Sequence, residues 1–196
     1  MKRREAVGAI AAAALTAAFR WTPEETHKAA QWAREAVAAQ TPYQAQFFTS
    51  HEWQTVRVLA DLIIPRDERS GSATDAGVPE FMDFMMIDRP DAQIEMRGGL
   101  AWMDAQCHAR SGKAFVECTD AERTALVDDI AWPKKAKPEF SQGVAFFNGF
   151  RNLTASGFYS SKIGVADLDY RGNTFVREWT GCPPEALQKL GVQYED

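Results

Sequence analysis

The amino-acid sequence predicts an all-α protein, a single helical domain of five or six helices ending in an irregular aromatic segment. Three observations carry that prediction. Thr49-Ser-His-Glu52 and Thr119-Asp-Ala-Glu122 each set a hydroxyl three positions ahead of a carboxylate, so that the two side chains satisfy free amides at a helix start. Apolar residues recur after both at spacings of three and four, the period of one helix face. Pro65 and Pro79 bracket a loop of charged and small residues. Proline cannot continue a helix but suits the first turn of one, so the pair reads as a stop and a start.

At 196 residues, 45% hydrophobic and 25% charged, the chain suits one globular domain whose core needs no disulfide. The net charge of −5 and the lack of a long basic run argue against nucleic acid, because phosphate neutralisation takes clustered Lys and Arg. A protein or small-molecule partner is expected instead.

Residues 1–20 read as an export signal. Arg3 and Arg4 precede Ala6–Phe19, a mild, alanine-rich apolar run, and twin arginines in that setting favour the route that exports folded proteins to the periplasm. The run of about 14 residues falls short of the roughly 20 that cross a bilayer, so membrane contact is expected only through partners. The competing reading is a surface helix with a basic start. Thr16-Ala17-Ala18 is the nearest approach to a cleavage site. Residues 21–46 carry Trp21, Trp32 and Tyr43 at irregular spacing and read equally as an amphipathic helix or a linker.

The domain proper spans 47–196. After the cap at Thr49, the residues Trp53, Val56, Leu59, Ala60 and Ile63 share a face that points to the core. The polar loop follows Pro65, and Gly77-Val78-Pro79 opens a helix that is apolar on most sides through Ile87. Such breadth requires burial on two faces, or one face on the core and one on a partner. A helix over about 92–110 carries Met96, Leu100, Met103 and Cys107, with Gly98-Gly99 inside it marking close backbone packing or a kink. The helix begun at Thr119 runs to Ile130 and stops at Trp132-Pro133. The next, about 139–156, has Phe140, Val144, Phe147, Phe150 and Leu153 on one face, which reads as core rather than a binding stripe. From about Gly157 neither period holds until a brief helix from Pro183-Pro184 to Leu190. A segment carrying Phe158, Tyr159, Tyr170, Phe175 and Trp179 must lie on something, either this domain or a partner.

No reactive set stands out. Of His27, His51 and His108, the first forms Glu24-x-x-His27, half of a di-iron helix motif whose second copy is missing. His51-Glu52 lacks the second histidine of the metalloprotease helix. Tyr159-Ser-Ser-Lys162 offers a phenol and an amine, but no Gly-x-Gly-x-x-Gly loop holds a nicotinamide beside them. There is no Cys-x-x-Cys-His for covalent haem. The chain is therefore expected to have no catalytic, cofactor-binding or metal residues of its own. Cys107 lies late in one helix and Cys118 just before the next, so an antiparallel hairpin brings them within the roughly 5.5 Å between Cα atoms that a disulfide takes. In an exported chain that bridge is expected, the alternative being two buried thiols. Cys182 is the odd cysteine, a buried free thiol or an interchain partner.

Leu59-Ala-Asp-Leu-Ile-Ile-Pro65 followed by Ala76-Gly-Val-Pro-Glu-Phe81 resembles the signature of the gluconate 2-dehydrogenase subunit 3 family. The likeness extends to Met96-Arg-Gly-Gly-Leu-Ala-Trp102 and, more loosely, to Trp179-Thr-Gly-Cys-Pro-Pro184. The resemblance implies an accessory small subunit of a periplasmic FAD-dependent sugar dehydrogenase. The FAD and the sugar would belong to a larger flavoprotein subunit of the GMC oxidoreductase type, and electrons would leave through an acceptor such as a cytochrome carrying haem c. Gluconate, glucose and glycosides oxidised at carbon 3 all remain open as substrates. The partner would be read by the loop from Arg66 to Gly77, with Arg66, Asp67, Arg69 and Asp75, and by the tail from Gly157 to Trp179. Two other readings stand beside it: a stand-alone periplasmic helical enzyme holding a metal through His108 and the cysteines, and a chaperone that leaves its client after export.

Overall fold

The computed structural model describes residues 21–39, 42–169, 177–178 and 181–194. These form α-helices and short 3-10 turns, with no strand among the described residues. Six long helices make the body: α1 (Pro23–Ala38), α2 (Ser50–Ile63), α3 (Val78–Asp88), α4 (Gln93–Ser111), α5 (Asp120–Ala131) and α6 (Ser141–Tyr159). Two short ones follow, α7 (Lys162–Asp167) and α8 (Pro184–Leu190).

Both expected capping boxes are formed at Thr49 and Thr119, and a third starts α1, where Thr22 and Glu25 exchange hydrogen bonds ahead of Pro23. Residues 21–46 are thus helix for most of their length. Gly77 opens α3 with φ 79°, a left-handed conformation open to glycine at no steric cost.

Helix α6 is the hub, touching α1 to α5 and α7. Of the face the periodicity predicts, Phe147, Phe150 and Leu153 are buried and Phe140 and Val144 half-buried, with Phe146 buried beside them. Gly99 of α4 faces it so closely that a methyl there would enter the Phe146 ring, which identifies Gly99, of the two glycines, as the site of close packing. Gly98, its neighbour, has open space around it. Helix α3 resolves the other ambiguity, because α1 lies along one side of it while α2 and α6 cover others. Its Phe81, Met82, Met85 and Met86 are all buried within this chain. At about 1.5–3 kcal/mol for each large apolar side chain, this sandwich is a main source of the fold's cohesion.

One polar group sits inside that sandwich. Asp83 is fully buried, and its carboxylate accepts hydrogen bonds from the Tyr43 hydroxyl at 2.6 Å and from the amides of Gln46, Phe47 and Phe48 at 2.8, 3.0 and 3.1 Å. The charge is tolerated because each bond to a carboxylate contributes about 1.5–3 kcal/mol. Asp83 thereby straps the segment before α2 onto α3.

The expectation of irregular chain from about 157 is corrected as far as Asp167; residues 170–176 and 179–180 lie outside the described residues. Helix α6 runs on to Tyr159, because Gly157 lets the Phe81 ring lie against its backbone; a Cβ there would meet the ring at 2.9 Å. Ser161 then caps α7 by accepting from the Gly164 amide.

Candidate protein-docking surface

The loop between α2 and α3 is tied to itself. Asp67 accepts from the amides of Arg69 and Ser70, both at 2.8 Å. Asp75 accepts from the Ser72 amide at 2.7 Å and from the Arg66 guanidinium at 2.6 Å. Thr74 donates its amide to Asp61 of α2 at 2.7 Å, and Ala73 donates to the Ile64 carbonyl at 2.9 Å. These donors hold both carboxyls below the usual carboxylate range. For Asp67 the cause is chiefly the amides of Ser70 and Arg69; for Asp75 it is chiefly the Ser72 amide, with the Ser72 hydroxyl and Arg66 adding to it. The result is a preformed charged loop.

Two neighbours complete the surface. The Arg69 guanidinium donates to the Asp167 carbonyl at 2.7 Å and lies 3.8 Å from its carboxylate, clasping the loop to the end of α7. Arg34 of α1 donates to the Ser160 carbonyl at 3.0 Å, fixing the C-terminal half of α1 beside the α6–α7 corner. Between these three parts lies an open groove of about 230 Å³, lined by Val37, Ala38, Asp75, Ala76, Lys162 and Ile163 among others. Val37 stays half exposed, and Val165 of α7 and Leu168 just beyond its end face solvent. The surface is apolar along the groove and charged at the loop, the mixture of apolar centre and polar rim found at protein interfaces.

The predicted site residues divide as follows. Arg66, Asp67 and Arg69 are exposed on the loop and Asp75 is half-buried at the groove, so sequence and structure bring these four together. Tyr159 is 43% exposed at the end of α6. Phe158 is a correction: at 1% exposure it is part of this chain's own core and offers no partner surface, because the continuing helix turns it inward. Tyr170, Phe175 and Trp179 lie outside the described residues, as do Arg3 and Arg4. Sequence reasoning missed Arg34 and Val37; the signal available was the Thr22-Pro23-x-Glu25 helix start, which makes α1 part of the body.

Cys107 and Cys118 are buried free thiols in contact with each other, without the expected bridge. Cys182 is exposed rather than buried, its amide donating to the Tyr194 hydroxyl at 2.7 Å. His108 follows Cys107 but points to solvent, and among the described residues no three His, Cys, Asp or Glu side chains converge as metal ligands. His51 pairs with Asp104 at 2.6 Å, joining α2 to α4, while Asp104 also accepts from the Phe115 amide at 2.9 Å. This pair does a structural job.

The fold and this surface define a helical protein in which the charged loop, α1 and α7 meet beside an apolar groove. The family model described as gluconate 2-dehydrogenase subunit 3 matches residues 50–177, and the chain belongs to that family, whose members are subunits of dehydrogenase complexes. Neither a curated protein nor a solved structure matches it.

Proposed function

We propose that this chain is the non-catalytic small subunit of an FAD-dependent dehydrogenase that oxidises a sugar or sugar acid in the periplasm. The flavin and the substrate belong to a GMC-type large subunit, and a cytochrome with haem c receives the electrons. The small subunit carries the twin-arginine signal at Arg3-Arg4, travels with the folded flavoprotein and stabilises it afterwards.

The observation that carries this reading is the preformed junction of loop 64–77, α1 and α7. A charged loop already tied down by Asp67, Asp75 and Arg69 loses little further entropy when a partner seats on it. The apolar groove beside it supplies area that a large subunit would remove from water. The test is co-expression with the flavoprotein subunit, followed by size exclusion. Leu168→Glu and Val37→Glu, which place a charge on exposed apolar positions, should release the large subunit while the small subunit stays folded by circular dichroism. Undiminished co-elution of both variants would refute the location.

A further inference from the structure

Cys107 and Cys118 lie outside the docking surface, and the reading above gives them no task. Cys107 sits on the buried face of α4 near its end. Beyond it the chain reverses through Gly112, whose φ of 72° is left-handed, and a 3-10 turn at Phe115–Glu117 returns Cys118 to α4. The Ser111 hydroxyl, one helical turn after Cys107, donates to the Cys107 carbonyl at 3.0 Å, and its oxygen lies 3.5 Å from Cys118 Sγ. With that hydrogen committed, the Cys118 thiol is the donor in the second contact. The Cys107 thiol is hydrogen-bonded in turn to Cys118. Both thiols therefore lie against the last turn of α4, at 2% and 4% exposure.

We propose that this pair is an oxidation site, at which an intrachain disulfide joins α4 to the segment that starts α5. The inference is independent of the accessory-subunit reading. The co-reactant is a disulfide oxidant, either a small molecule such as glutathione disulfide or a protein disulfide. A thiolate of the pair attacks one oxidant sulfur, giving a mixed disulfide and releasing one oxidant thiol. The second cysteine attacks that mixed disulfide, forming the Cys107–Cys118 bond and releasing the other oxidant thiol. Two electrons pass from the cysteines to the oxidant, and the two thiol protons end on its two released sulfurs.

Two features of the surroundings favour the product. Oxidation removes both S–H donors while Ser111 keeps its bond to the Cys107 carbonyl, so the thiol ring is dismantled without leaving a buried donor unpaired. The bridge also closes a loop that the Gly112 turn and the 3-10 turn have already folded back on itself. Burial, then the hydrogen bond to Cys118 and its charge, push the Cys107 thiol up to about 12, so the closed dithiol exchanges slowly and reacts when the α4–α5 corner opens.

The test uses the full chain purified with its thiols reduced. In the native state iodoacetamide should label exposed Cys182 and spare the other two. After incubation with glutathione disulfide just below the unfolding midpoint, a non-reducing tryptic map should link peptides 98–110 and 114–123 with the loss of two hydrogens. The oxidised chain should melt about 5 °C higher than the reduced one, and Cys118→Ala should lose both the link and the rise. Two alkylatable thiols at Cys107 and Cys118 after that incubation would overturn the proposal. So would their linkage to Cys182 or to glutathione.

Discussion

Arg69 reaches across from the α2–α3 loop to donate to the Asp167 carbonyl at 2.7 Å, so two segments 98 residues apart in the chain form one surface. Its side chain is 69% exposed, and at that exposure the ion pair itself contributes under about 1 kcal/mol to stability. Its value is positional. Arg69→Ala should leave the melting temperature almost unchanged and weaken association with the flavoprotein roughly tenfold, about 1.4 kcal/mol, measured by titration calorimetry. A variant that binds as tightly as the natural chain would show that the clasp does not shape the interface.

Asp83 should be the most sensitive polar position in the body. Asp83→Ala would strand the amides of Gln46, Phe47 and Phe48 and free the Tyr43 hydroxyl, at a cost of about 3 kcal/mol or more in denaturant unfolding. Tyr43→Phe removes only one donor and should cost about 1 kcal/mol. If both changes cost the same small amount, the strap is not anchored by this carboxylate.

Adjacent glycines should respond with opposite sign. Gly99→Ala forces a methyl into the Phe146 ring and should destabilise by about 2 kcal/mol. Gly98→Ala, in open space on the same helix, should stabilise by about 0.5–1 kcal/mol through its better helix propensity. Thermal denaturation of the two variants separates the effects.

Glu80 gives the fold a pH dependence. The side chain is buried on α3, one carboxylate oxygen has no hydrogen-bond partner, and desolvation raises its pKa despite a hydrogen bond from its own backbone amide and the charge of Arg57 acting against the shift. Asp83 adds to the rise, and Tyr43, whose own pKa is raised chiefly by burial and then by Asp83, also faces it. For an acid with a raised folded pKa, the unfolded state loses its proton first. The stability tied to the neutral form is therefore present below the ordinary carboxylate pKa and lost as pH rises through the folded one. Asp75 has the opposite sign: its folded pKa is lowered, so its contribution is present above the ordinary value and lost as pH falls. Glu80→Gln should melt higher than the natural chain at neutral pH, and the gap should close towards pH 4. An equal gap at both pH values would contradict the assignment.

How much of this was legible varies with how local the cause is. The caps at Thr49 and Thr119 lie within four residues of sequence, and the phenylalanines of α6 repeat at helical spacing, so both could be read directly. Helix α1 could not be separated from a linker because the residues it buries are Ala29, Ala30 and Ala33, which leave little apolar period. Gly157 read as a break because a glycine among serines usually is one; its reason for being there is the Phe81 ring, far away in sequence. The same holds for Asp83, a carboxylate in an apolar run whose partners lie 35–40 residues upstream. Arg66, Asp67, Arg69 and Asp75 could be read as a loop because charge between two prolines marks a turn, whereas their position beside α1 and α7 is a property of the fold alone.

The most direct test of the central claim is to capture the full chain from cells that also express the flavoprotein, then record the absorption spectrum and sugar-dependent dye reduction of each separated subunit. The account predicts flavin absorption and turnover in the large subunit and a colourless, inactive small subunit. Sugar oxidation by the isolated, flavin-free small subunit would contradict it.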